Sequence, residues 1–222
     1  MDYRKEYEKW LASPALSEDE RRELKALEGN DKEIKARFYG PLEFGTAGLR
    51  GTMYTGLHNM NRHVIRWATQ GFANVIRAEG GEAMKKGVAV CMDCRNHSAE
   101  FARETACVMA ANGIHVRLFE SLRPTPELSF AVREYGCQAG VNVTASHNPK
   151  EYNGYKVYWS DGAQLPPQHA AAIADELTRI DIFTGVKSMD YEQALAEGRI
   201  ELLGEDCDRR FMANVMGMVN DY

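Results

Sequence analysis

One serine stands in a segment that is dense with polar side chains. Residues 144–149 read Thr-Ala-Ser-His-Asn-Pro, so hydroxyl, imidazole and amide groups surround Ser146 within five residues. A serine hydroxyl in such surroundings can act as a nucleophile, and the polar neighbours suit an anionic substrate better than an apolar one. The same residue types are common in ordinary turns, so their composition alone leaves a plain turn as the alternative.

The flanking residues predict how this serine is held. Val141 and Val143 predict a short buried strand, and Pro149 ends the segment because proline cannot continue a sheet ladder. We predict a turn at Asn153-Gly154 and then a second strand that is rich in Tyr and Val. Ser146 would therefore lie on a loop at the end of a strand.

A second segment could also meet an anion. Glycines stand at positions 45, 48 and 51, and such a density allows backbone N–H groups to approach an anion closely. Arg50 adds a planar cation that is suited to phosphate. The spacing matches neither a dinucleotide-binding fingerprint nor a P-loop, and a flexible hairpin loop is the alternative.

Helix and strand signals alternate through the middle of the chain. Apolar residues at helical spacing predict helices at 61–78, 99–112 and 125–135, with Ser98 and Thr125 as caps of the last two. Apolar runs predict strands at 87–92 and 114–119 and before Thr144. This alternation predicts an α/β layer with mainly parallel strands and right-handed crossovers.

The predicted topology gathers three polar segments. Ligands bind at the carboxyl ends of parallel strands, and residues 93–95, 122–126 and 144–149 each follow a predicted strand. We therefore expect these three segments to meet at one edge of the sheet. For Asp93 and Arg95, the alternative is a simple surface ion pair.

The two ends of the chain carry further helical signals. Residues 1–40 are predicted to form a helical arm, with Ser17 and Glu20 as a capping box and apolar side chains at helical spacing. After the serine, a helix is predicted at 166–180 with Ala171, Ile173, Ala174 and Leu177 facing inward, then a short helix at 191–196 and a strand at 200–203. Residues 206–210 read as a helix start, which suggests three parts: 1–40, 41–203 and the opening of a further domain at 204–222.

Composition excludes several classes of protein. A net charge of −5 gives no basic footprint for nucleic acid, and no apolar run approaches the ~20 residues of a membrane helix. The five cysteines are odd in number and scattered, which predicts a cytoplasmic protein without a disulfide framework. Cys91 and Cys94 form a C-x-x-C pair, but Cys91 lies in a predicted buried strand and no second pair at zinc spacing exists.

Two motifs resemble one enzyme family. Residues 144–149 with Tyr152-Asn153-Gly154-Tyr155-Lys156, and the segment Phe44-Gly45-Thr46-Ala47-Gly48-Leu49-Arg50-Gly51, resemble the phosphoserine loop and the N-terminal motif of the phosphoglucomutase/phosphomannomutase (α-D-phosphohexomutase) superfamily. The likeness is greatest to the phosphoglucomutase/phosphopentomutase type. It implies a three-layer α/β/α domain with a mainly parallel, mixed sheet.

The resemblance also implies roles for individual residues. Phospho-Ser146 would exchange its phosphoryl group with glucose 1-phosphate and glucose 6-phosphate through a 1,6-bisphosphate. Lys156 would act as general acid or base, Arg50 would contact the phosphoserine, and His147 would orient the substrate; a solvated strand lysine and a spectator histidine are the alternatives. The phosphate-binding residues would be Thr46, Gly48, Asn148, Asp93 and Arg95.

The resemblance implies Mg²⁺ as cofactor, bound through the phosphate on Ser146, and glucose 1,6-bisphosphate as activator. The remaining ligands are three aspartates of a loop in the family's second domain; the segment from Asp206 to Arg210 has too few acids and continues as a helix. The family's chains have four domains, so we expect a fragment that is inactive alone. Phosphomannomutase, phosphopentomutase and a non-catalytic phosphate-binding domain remain alternatives, whereas an acyl-transfer hydrolase lacks its G-x-S-x-G motif.

Overall fold

Six strands form one mixed sheet in the computed structural model, which describes residues 2–219. The strands are β1 (Leu49–Thr52), β2 (Val88–Met92), β3 (Val116–Phe119), β4 (Ala139–Val143), β5 (Tyr152–Trp159) and β6 (Ile200–Leu203). The helices are α1 (Tyr3–Ala12), α2 (Glu18–Lys25), α3 (Asp31–Phe38), α4 (Arg62–Ala78), α5 (Gly81–Lys86), α6 (Ser98–Ala111), α7 (Thr125–Glu134), α8 (Pro167–Leu177), α9 (Tyr191–Ala196) and α10 (Glu205–Met216).

The sheet is parallel in its larger part. Its order is β1-β5-β4-β2-β3-β6, with β4, β2, β3 and β6 parallel and with β5 and β1 antiparallel to their neighbours. Helices α4, α6 and α8 cover one face, and α7 with α10 behind it covers the other. The predicted three-layer α/β/α fold with a mainly parallel, mixed sheet is therefore confirmed.

The central helix α4 is buried over most of its length because it carries apolar residues on most of its faces. Asn61 caps it by accepting hydrogen bonds from the N–H groups of His63 and Val64. Gly71 allows α8 to approach closely, since a Cβ there would lie 2.6 Å from Leu177 Cδ2. The helix thus joins the sheet to the outer helix α8.

The N-terminal segment is helical, as predicted, and it packs onto the sheet domain. Ser17 and Glu20 form the predicted capping box. Trp10 is fully buried and makes edge contacts with Phe38 and Phe183, at ring-centroid distances of 5.7 and 5.1 Å. Residues 2–40 therefore share the main core.

Two predictions about the serine region and the next helix were wrong. Asn153 and Gly154 lie inside β5, opposite Gly51 and Arg50, because neighbouring strands on both sides fix them in extended backbone. In α8, Ile173 and Leu177 are buried as predicted and Ala174 is half-buried, but Ala171 is exposed and Ala170 is buried in its place.

Helix starts also differ from the prediction. Ser98 and Thr125 are the first residues of α6 and α7, and the positions before them are His97, in a left-handed conformation, and Pro124. The hydroxyls of Ser98 and Thr125 make tertiary hydrogen bonds instead of capping bonds. The sequence analysis also missed helix α5, which is only six residues long.

Helix α10 begins close to the predicted start and packs against α7. Phe211 contacts Phe130 at a centroid distance of 5.6 Å, and Cys207 is buried. Arg123 holds Asp208 in a bidentate pair, with N···O distances of 2.6 and 2.8 Å. The assignment of 204–222 to a further domain stays a prediction.

A buried acid lies beneath this ion pair. Glu127 is 3% exposed, and its Oε1 has no hydrogen-bond partner. Burial and the neighbouring carboxylate of Asp208 raise the pKa of Glu127 to about 7, whereas Arg123 lowers the pKa of Asp208. Glu127 therefore takes up a proton more readily than Asp208, and the protonated form suits its buried position between α7 and α10.

We expect this proton to make stability depend on pH. The pKa of Glu127 is higher in the folded state than in the unfolded chain, so its contribution is complete below about pH 4.5 and is lost as the pH rises to about 7. In Glu127→Gln, the amide donates a hydrogen bond at every pH without taking up a proton. The free energy of unfolding of this variant, relative to that of the wild type, should therefore increase by about 2–3 kcal/mol between pH 4.5 and pH 8. Urea unfolding across this range measures the difference.

Glu79→Gln, an exposed acid just after α4 with no ion pair in the described residues, controls for the loss of an acidic group. A wild type and a Glu127→Gln variant with parallel pH profiles would contradict the raised pKa of Glu127.

Candidate active site

Ser146 lies at the carboxyl end of β4 on a loop formed by residues 144–151, here called the serine loop, which is buried at Thr144 and Ala145 and exposed at Ser146. Its φ is +57°, a left-handed conformation that is uncommon for a residue with a side chain. Its N–H donates to Thr144 Oγ1 at 3.0 Å, and Asn148 N–H donates to the Ala145 carbonyl at 3.1 Å. His147 Nδ1 lies 3.4 Å from Ser146 Oγ. The loop thus presents the serine hydroxyl and an imidazole side by side.

Strand β1 brings Arg50 to this loop. Arg50 stands opposite Gly154 in the β1–β5 ladder, and its Nη1 donates to Asn148 Oδ1 at 3.0 Å. Both Arg50 and Ser146 are exposed. The structure therefore places a cation, the serine and the side chain of Asn148 together, although 98 residues separate Arg50 from Asn148.

Arg95 also reaches the serine loop, but it faces the backbone. Its Nη1 donates to the carbonyls of Pro149 and Tyr152 at 3.0 Å each, and its Nη2 to those of Ser146 and Asn148 at 2.6 and 2.7 Å. Arg95 does form an ion pair with Asp93, but its terminal donors bind the loop backbone, and the phosphate-binding roles of Asp93 and Arg95 stay predictions.

A buried hydrogen-bond network supports Asp93 behind this arginine. Asp93 Oδ1 accepts from Arg95 N–H at 3.0 Å and from Ser98 Oγ at 2.9 Å, and its Oδ2 lies 3.3 Å from Arg95 Nε. Ser98 Oγ in turn accepts from Asn153 Nδ2 at 3.0 Å, and Asn153 is fully buried. Sequence reasoning missed Ser98 and Asn153 because it assigned them to a helix cap and a turn.

The three predicted polar segments do meet at this edge. The N–H of Arg123 donates to the Met92 carbonyl at 3.1 Å, and Asn142 Nδ2 donates to Thr125 Oγ1 at 2.8 Å, so residues 122–126 join the ends of β2 and β4. Arg123 itself is engaged by Asp208 and so is not directed at the serine.

Gly48 has a steric role in the structure. Its φ is +77°, and a Cβ would lie 1.8 Å from the Tyr155 carbonyl oxygen. Its N–H donates to the Gly45 carbonyl at 2.8 Å, so this donor is used within the turn, and the phosphate-binding role of Gly48 stays a prediction. Thr46 lies exposed at the tip of the same turn, and its phosphate-binding role stays a prediction.

Lys156 lies on β5, half-buried and opposite Asn142. Its neighbours Tyr155 and Val157 belong to the core beneath α4 and α6, so strand alternation places Lys156 on the α7 face of the sheet. Its role as general acid or base stays a prediction.

Other chemistries find less support in residues 2–219. No three His, Cys, Asp or Glu side chains in this range are grouped so that they could hold a metal ion, and all five cysteines are free. Burial raises the pKa of Cys91 to about 12, which keeps it a thiol and disfavours a redox pair with exposed Cys94. None of the helices in this range is long and apolar enough to cross a membrane.

Fold and site together define a class of protein, a three-layer α/β domain that presents an exposed, left-handed serine at the carboxyl edge of its sheet. The family described as phosphoglucomutase/phosphomannomutase, alpha/beta/alpha domain I, matches residues 41–182. This match covers more than half of the 222 residues, and the chain belongs to this family.

Individual relatives agree with this assignment. The chain is 40% identical over 156 residues to a phosphopentomutase of Homo sapiens, covering 68% of this chain and 26% of that protein. It is 33% identical over 189 residues to a phosphoglucomutase of Staphylococcus saprophyticus subsp. saprophyticus, covering 85% of this chain and 34% of the relative. The chain thus spans about a quarter to a third of the length of these relatives.

A solved structure shows the same fold. A phosphoglucomutase/phosphomannomutase family protein from Burkholderia thailandensis superposes with a TM-score of 0.60 at 22% identity, covering 80% of this chain and 36% of that one.

The glycine turn offers a matched pair of variants. Gly48→Ala should lower the free energy of unfolding by about 3 kcal/mol, because its Cβ would overlap the β5 backbone in a left-handed conformation. Gly45→Ala should change it by less than about 0.5 kcal/mol, since no atom lies within 4 Å of its Cβ position. Chemical denaturation of both variants measures the difference, and equal effects would contradict the steric role of Gly48.

Proposed function

We propose that this chain is the serine-bearing domain of a phosphosugar mutase. The observation that carries the proposal is Ser146, exposed in a left-handed conformation on a loop contacted by both Arg50 and Arg95, in a member of this family. A hydroxyl displayed in this way can carry a phosphoryl group and pass it to a sugar. The activity belongs to a protein with the length of the relatives, and the isolated chain is expected to lack mutase turnover.

Each nearby residue has a part in the proposal. When a sugar hydroxyl attacks phospho-Ser146, the bond from phosphorus to Oγ breaks as the bond to the sugar oxygen forms. Lys156, in its uncharged form, accepts the proton of the attacking hydroxyl, and Oγ takes up a proton from water as it leaves. Arg50 balances charge on the phosphoryl oxygens, because a guanidinium suits phosphate geometry. His147, adjacent to Oγ, orients the group that reacts.

The substrate is proposed to be glucose 1-phosphate, which is interconverted with glucose 6-phosphate through glucose 1,6-bisphosphate. The similarity to the staphylococcal phosphoglucomutase over 85% of this chain supports this choice. The similarity to the human phosphopentomutase supports a pentose phosphate as the alternative. A mannose phosphate is a further alternative.

Mg²⁺ is part of the proposal as a cofactor that neutralises phosphoryl charge. Residues 2–219 offer no metal-binding cluster of their own, so the phosphate on Ser146 would be this chain's contribution to the site. The roles given above to Lys156, Arg50 and His147 do not depend on the metal. A cytoplasmic location completes the proposal.

The test is the transfer of one phosphoryl group to the chain. Incubation with glucose 1,6-bisphosphate and Mg²⁺ should add one phosphoryl group, read by intact mass and mapped to Ser146. Ser146→Ala should abolish the addition, whereas Ser160→Ala, on an exposed turn outside the site, should leave it unchanged. A label on another residue, or one that persists in Ser146→Ala, would contradict the proposed role of the serine.

A coupled assay of glucose 6-phosphate formation from glucose 1-phosphate tests whether the isolated chain has mutase turnover. We expect no turnover by this chain. Turnover that disappears in Ser146→Ala would establish the serine and refute the expected inactivity of the chain alone, and binding of the bisphosphate without transfer would favour a non-catalytic phosphate-binding domain.

A further inference from the structure

Arg95 contacts the serine loop and the first residue of β5 with all of its terminal donors. Its side chain is 11% exposed, and the four N–H bonds of Nη1 and Nη2 match four carbonyl oxygens, those of Ser146, Asn148, Pro149 and Tyr152. The distances lie between 2.6 and 3.0 Å, which is the range of charge-assisted hydrogen bonds. No terminal N–H of Arg95 is left for a ligand.

This arrangement also fixes the direction of the loop's N–H groups. Residues 2–219 contain no cis peptide bond, and in a trans peptide the N–H points opposite to the carbonyl. The carbonyls of Ser146 and Pro149 face Arg95, so the N–H groups of the next residues, His147 and Lys150, point away from it. Neither N–H has a protein acceptor in the described part of the chain.

The backbone at Ser146 has the shape that makes such N–H groups useful. Left-handed and turn conformations create concave surfaces of successive N–H groups that bind anions. A left-handed serine costs free energy and persists only where its surroundings impose it. The bond from Arg95 to the Ser146 carbonyl acts on this same residue.

We propose that Arg95 is a positioning residue that binds the carbonyls of the serine loop, not the phosphoryl group, and so directs the N–H groups of His147 and Lys150 to the phosphoryl oxygens on Ser146. The inference rests on the proposed function only in naming the anion. Asp93 takes part by accepting hydrogen bonds from Ser98 and from the backbone of Arg95.

The first test measures the loop itself. In Arg95→Ala, hydrogen exchange of the N–H groups of Ser146, Asn148 and Tyr152 should rise at least about tenfold, while β2 and β3 stay protected. Arg95→Lys should recover only part of the protection, because an ammonium cannot match four carbonyls in one plane. Arg66→Ala removes a partly buried arginine that pairs with Glu104 elsewhere, and it should leave the loop unchanged.

The second test measures chemistry. Phosphorylation of Ser146 by glucose 1,6-bisphosphate should be about a hundredfold slower in Arg95→Ala, and added guanidinium ion should restore part of the rate. In Arg95→Ala, the dependence of this rate on the bisphosphate concentration should be nearly unchanged, since Arg95 does not bind the phosphate directly.

The outcomes separate the possibilities. Unchanged loop exchange in Arg95→Ala, or a defect seen only as weaker binding of the bisphosphate, would overturn the positioning role and make Arg95 a phosphate ligand. If the wild type is not phosphorylated, the proposed function of the isolated chain fails, while the exchange measurement still decides the role of Arg95.

Discussion

Three carbonyl groups of the serine loop, those of Ser146, Asn148 and Pro149, face one arginine, and this constraint governs the site. Backbone carbonyls that leave the sheet ladder require donors, because an unsatisfied polar group costs free energy when it is shielded from water. One planar guanidinium supplies four donors at once, a pattern that a flexible ammonium cannot match. The uncommon backbone of Ser146 is held within these bonds.

A second constraint acts from the other edge of the sheet. Arg50 can reach Asn148 only if β1 pairs with β5 in the observed register, and this register brings Gly48 against the backbone of Tyr155. Glycine is required there because any side chain would overlap the carbonyl. One short segment at the start of β1 therefore both packs closely against β5 and places the cation of Arg50.

The α7 side of the sheet links the site to the outer helix. Asn142 stands opposite Lys156 and donates to Thr125 at the start of α7, and two residues later Glu127 lies buried beside Asp208 of α10. The layer beneath Lys156 is thus built from buried polar contacts as well as apolar packing. A change in the charge of Glu127 acts on the contact between α7 and α10.

The sequence alone determined the fold class, most of the helices and strands, and the place of Ser146 at the end of a strand. These features rest on local signals: apolar periodicity, a capping serine at Ser17 and a proline that cannot continue a strand. The tertiary structure alone decided that Asn153 lies in a strand, that Ser98 joins a buried network and that Arg95 faces carbonyls. The physical reason is that their hydrogen-bond partners lie as far as 57 residues away, and no local pattern records which distant donor meets which acceptor.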